Sequence, residues 1–135
     1  MKRANWELEL GNFLISNMHR DFRWGEWDCV TFASECVRIQ TGTDLKSEIM
    51  GNRKYSSLVG GVRFLKSIGG DIPSILDEHL ERAESDVRTG DIAMMAVEER
   101  FSLGVVVGNM AWFLDTEGMR QAPVHLAEGV WHVGT

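Results

Sequence analysis

The chain has 135 residues, 20 of them acidic and 14 basic, for a net charge of −6, and 44% are apolar. That length suits one domain spanning 1–135, with core enough to stand without disulfides or metals. The acidic balance, with no basic stripe, excludes a nucleic-acid binder, and no apolar run nears the ~20 residues that a bilayer span needs.

The start, Met1-Lys2-Arg3-Ala4-Asn5-Trp6-Glu7, has no apolar core and no small-residue cleavage site, so no signal peptide is expected and the chain is expected to fold in a cytoplasm. From about Asn5 to Arg20, Trp6, Leu10, Phe13, Leu14 and Met18 recur at three- and four-residue steps, which predicts an amphipathic helix. A second helix is predicted over Cys29 to Thr41, with Asp28 as its N-cap and Gly42 as its stop. Thr43 to Lys54 reads as a loop, a third helix is predicted over 56–67 ending at Gly69-Gly70, and a short fourth follows Pro73 with Ile75, Leu76 and Leu80 facing inward. Glu81 to Thr89 reads as a loop.

After Gly90 the pattern changes to short apolar runs. Asp91 to Val97, Phe101 to Gly108 and Ala111 to Leu114 predict buried strands, Gly108-Asn109 predicts a hairpin turn, and Val130 to Val133 predicts a last strand. Helices first and strands later make an α+β fold, with N-terminal helices packed on a C-terminal antiparallel sheet.

The two cysteines, Cys29 and Cys36, lie two turns apart on one predicted helix. Their separation of ~10.5 Å along the axis exceeds the ~7 Å Cα limit of a disulfide, so both are expected to be free thiols. Cys29 follows Phe22-Arg23-Trp24-Gly25-Glu26-Trp27-Asp28 and opens its helix. At such a position the helix dipole and free backbone N–H groups lower a thiol's pKa and can receive an oxyanion. The alternative is a small buried residue that only packs. Trp24 and Trp27 are candidates for lining a ligand groove, with Asp28 beside them.

The segment Trp24-Gly25-Glu26-Trp27-Asp28-Cys29-Val30-Thr31-Phe32 resembles the nucleophile segment of the NlpC-type papain-like cysteine peptidases. Arg88-Thr89-Gly90-Asp91-Ile92 is similar to their Gly-Asp turn, and Ser102-Leu103-Gly104-Val105-Val106-Val107-Gly108 to the strand that in the family reads His-Val-Gly. Order and spacing match across all three, and the version here most resembles short proteins encoded among phage tail genes. The resemblance implies a papain-like NlpC-type fold with Cys29 at the nucleophile position. It also sets Ser102 where the family has its histidine base, and Phe113 or Leu114 where a polar residue orients that histidine. A serine cannot act as the base near neutral pH.

The other histidines offer no clear substitute. His19 reads as a helix C-terminal charge, His79 as solvent-facing, His125 as a loop residue, and His132 as a coincidental echo of the family string. Asp91, opening a strand after glycine, is expected to make turn hydrogen bonds. With no CxxC and no HxxxH, neither a metal nor a cofactor is expected.

The resemblance and its departures together imply a phage tail-tip or tail-assembly component, resident in the virion tail and made in the host cytoplasm. Such a protein acts by contact with other phage tail proteins. The alternative is an active peptidoglycan endopeptidase cutting peptidoglycan peptides with Cys29. A third reading is a cysteine-dependent transferase or thiol sensor.

Overall fold

The computed structural model describes residues 2–50, 60, 71–97 and 100–134. Helix α1 spans Trp6–Asn17 and turns Leu10 and Leu14 inward. Helix α2 spans Cys29–Thr41, bounded by Asp28 and Gly42 as its caps suggest, with the Gly42 N–H donating to the Arg38 carbonyl. Its buried residues, among them Phe32, Ala33, Cys36, Val37 and Ile39, occupy most of its circumference, which makes it a central helix.

Within the expected Thr43–Lys54 loop lies a short helix, α3 (Leu45–Met50). Asp44 starts it by accepting from the Ser47 N–H at 3.1 Å and the Ser47 hydroxyl at 2.8 Å, an N-cap hidden in a polar stretch. The helix expected over 56–67, with its Gly69-Gly70 end, lies outside the described residues except for Gly60, which is helical. Helix α4 (Ile72–His79) is capped by Asp71, buries Ile75 and Leu76, and has Pro73 in its first turn.

Six strands follow: β1 (Glu81–Arg82), β2 (Ile92–Val97), β3 (Arg100–Val107), β4 (Met110–Asp115), β5 (Gly118–Pro123) and β6 (Gly129–His132). They form one antiparallel sheet in the order β1-β6-β2-β3-β4-β5. Two of them, β1 and β5, arise where no strand was expected. Their residues are mostly exposed or half-buried and carry no apolar run, because both are sheet edges.

Alternation along the strands divides the interior in two. Ile92, Met94, Leu103, Val105, Leu114 and Trp131 join Leu10, Phe32 and Val37 in the cluster between helices and sheet. Their neighbours Ala93, Met95, Val106, Phe113 and Val130 form a second cluster on the other face, against which Val87 and Val124 pack. The α+β arrangement of helices on an antiparallel sheet is therefore present. Among the described residues, no helix is long and apolar enough to cross a membrane.

Gly104 shows how tightly the sheet is built. A Cβ there would lie 2.3 Å from the Trp112 carbonyl oxygen and 2.7 Å from the Phe113 Cβ. Gly90 is similarly enclosed, with φ +98° and the Gln40 Oε1 only 2.2 Å from where a Cβ would sit. The Gln40 amide in turn donates to the Cys36 and Gly90 carbonyls, at 3.0 and 2.8 Å, tying α2 to the start of β2.

Candidate functional site

The approach to Cys29 is a closed turn. Arg23 and Trp27 exchange both backbone hydrogen bonds, at 2.9 and 2.7 Å. The buried Asp28 carboxylate then accepts from the Gly25 N–H at 2.8 Å and the Thr31 N–H at 2.9 Å, so one side chain holds the turn and caps α2. From α3, the Lys46 ammonium donates to the Gly25 carbonyl at 2.8 Å and the Thr31 hydroxyl at 2.6 Å. Lys46 is a support that the sequence alone does not reveal.

This frame sets the Cys29 thiol against β3, in a cavity of about 290 Å³ that Trp24, Val30, Leu103 and Leu114 help to line. Ser102 lines it too, so Cys29 and Ser102, the two residues singled out through the resemblance, are neighbours. The Ser102 hydroxyl is buried and donates to the Leu114 carbonyl, on the strand where the family's orienting residue belongs. Asp115 lines the same cavity. Register pairs Gly104 with Phe113, and Asp115 follows Leu114 at the end of the same strand. Asp115 is therefore a polar group next in sequence to the expected third position. Its carboxylate already accepts from the Glu117 N–H and from Arg120, both at 2.8 Å.

A helix-start thiol is expected to have a lowered pKa, and here the opposite holds. Burial pushes the Cys29 thiol up to about 11, and the neighbouring Asp28 charge adds to the rise. The Leu103 N–H, which donates to the sulfur, and the Ser102 side chain beside it oppose the rise without prevailing. Desolvation outweighs the dipole because the cavity wall is apolar. Cys36, fully buried in α2, is likewise raised by burial, and both cysteines are free.

Of the three residues marked for binding, Trp24 lines the cavity, its ring edge-on to Phe22 with centroids 4.7 Å apart. Trp27 is 2% exposed and belongs to the core, edge-on to Phe13 and Phe32, with the Arg20 guanidinium 4.3 Å from its ring centre. Asp28 is the cap. None of the four histidines lines the cavity. His19 and His125 are exposed, and His79 lies 3.6 Å from Glu48.

His132 has a role that its sequence context does not disclose. Its Nδ1 lies 2.9 Å from Asp91 Oδ2 and its Nε2 3.1 Å from Asp86 Oδ1. Asp91 makes the expected turn bond, accepting from the Arg88 N–H at 2.8 Å, and it also fastens the last strand to β2. Among the described residues no three His, Cys, Asp or Glu side chains are grouped to hold a metal ion.

No curated protein and no solved structure matches the chain. One family does, over residues 1–133: the chain belongs to the family described as a domain of unknown function, DUF6950.

Proposed function

We propose that the protein is a phage tail-tip or tail-assembly component built on a papain-like NlpC-type scaffold, working in the virion tail by contact with other tail proteins. The observation that carries the loss of chemistry is the pairing at Cys29. Its thiol faces a serine hydroxyl that is already donated to the Leu114 carbonyl, where a cysteine peptidase needs a base to take the proton. The tail assignment is supported by the resemblance of Trp24–Phe32, Arg88–Ile92 and Ser102–Gly108 to tail-encoded relatives of that fold.

An active endopeptidase is the second reading, favoured by one observation: Cys29 starts a helix and lines a cavity that also holds Asp115. The two part in a single experiment. Purified protein incubated with peptidoglycan is expected to release no peptides, and phage carrying Cys29→Ser are expected to assemble normal tails at parental titre. Peptide release that disappears in Cys29→Ser would overturn the proposal in favour of the endopeptidase.

A further inference from the structure

The Cys29 cavity has a wall whose chemistry suits a particular ligand. Its polar side chains are engaged within the protein. Ser34 donates to Asp44 and accepts from the Lys46 N–H. Lys46 donates to Gly25 and Thr31, Ser102 to Leu114, and Asp115 accepts from Glu117 and Arg120. Apart from the Cys29 thiol, Arg100 and Thr116, the rest of the lining is apolar, from Phe22 and Val30 to Ile75 and Leu76. A peptide laid in this space would bury backbone N–H and C=O groups with no partners, at a cost for each. An aliphatic chain carries no such groups and would bury only apolar surface.

One lining side chain is differently placed. Arg100 is half-buried at the start of β3, and among the described residues its guanidinium has one polar partner, the Thr116 hydroxyl at 3.3 Å. A guanidinium offers five N–H donors in a fork that matches a carboxylate. The cavity is thus apolar in depth, with a cation on its wall.

We propose that this cavity binds an aliphatic chain bearing a single carboxylate, the chain among Val30, Ile75, Leu76 and Leu103 and the carboxylate on Arg100. The volume of about 290 Å³ lies at the small end of the range for small-molecule sites, about 300–1,000 Å³, which suits a short aliphatic chain better than a long one. The ligand is therefore a medium-chain fatty acid. The inference uses the same cavity as the proposed function but none of its chemistry, and it needs no reactive thiol.

The test is titration of the purified chain with decanoate and with decanol, below the concentrations at which either aggregates, read by tryptophan fluorescence and by thermal melting. Saturable binding of both is expected. Arg100→Gln should weaken decanoate at least tenfold and decanol less than twofold, and Val30→Phe, which narrows the cavity, should weaken both. Arg100 is on the surface side of the wall, so its variant keeps the test open should Val30→Phe fail to fold. Decanoate that does not saturate overturns the assignment, as does equal weakening of acid and alcohol by Arg100→Gln, or saturation by an apolar peptide alone. Peptidoglycan digestion is measured separately: peptide release sinks the tail-component reading, whereas decanoate binding decides this one.

Discussion

At Cys29 two physical effects act in opposite directions on the same sulfur. The start of α2 favours a thiolate, while the apolar wall and the adjacent Asp28 carboxylate disfavour it, and the thiol ends up at about 11. A thiol raised from the ordinary 9.0 to about 11 holds roughly 100-fold less thiolate at pH 7. Alkylation by iodoacetamide is expected to be correspondingly slow at neutral pH, to rise about tenfold per unit, and to level off only near 11, with mass spectrometry locating the adduct. A plateau below pH 8 would show an activated cysteine instead. The sign for stability follows. The unfolded thiol ionises near 9.0 and the folded one near 11, so the folded state loses ground as pH rises across that window. The meeting of Cys29 with Ser102 was expected only through the resemblance, because two residues so far apart in the chain are brought together by tertiary packing, whereas the helix start at Asp28 is a local property. Neither Asp115 nor the thiol's environment was foreseen, since both depend on side chains from α2, α3, α4 and three strands converging in space.

Among the elements, α2 was the most legible. Asp28, Gly42 and a dense apolar face mark its ends and its burial, each through a short-range cause. Helix α3 was hidden because six residues give too little periodicity to outweigh a polar composition. Its start rests on Asp44, whose carboxyl is held below the usual range by the Ser47 N–H and hydroxyl. Strand β5 was hidden because an exposed edge needs no alternating apolar residues. The weight carried by Asp28 leads to a prediction at this scale. Removing an N-cap carboxylate costs about 0.5–2 kcal/mol, and Asp28 holds the Gly25 N–H as well. Asp28→Ala is expected at or above the top of that range in urea unfolding, with the loss shared between α2 and the turn before it. A change below about 0.5 kcal/mol, the level of an ordinary surface substitution, would mean that the turn is held by Lys46 and the Arg23–Trp27 pairing without the cap.

Across the whole molecule, the fold is closed by residues distant in sequence. His132 joins Asp91, at the head of β2, to Asp86 in the segment that carries Val87 onto the second cluster. His132→Ala takes a hydrogen-bond partner from the fully buried Asp91 and leaves it the Arg88 N–H, and a buried polar group that loses its partner costs about 1–3 kcal/mol. A fall in unfolding free energy within that range is expected, and a variant as stable as the parent would show that the cluster is dispensable. Gly104 belongs to this scale too, since a side chain there would strike the neighbouring strand. The same closeness fixes how near β3 and β4 lie to each other, with Gly104 paired to Phe113. A side chain at residue 104 has no rotamer that avoids the Trp112 carbonyl, so it could be housed only by parting two strands. Sheet spacing, and not any single attractive contact, thus selects the residue at that place.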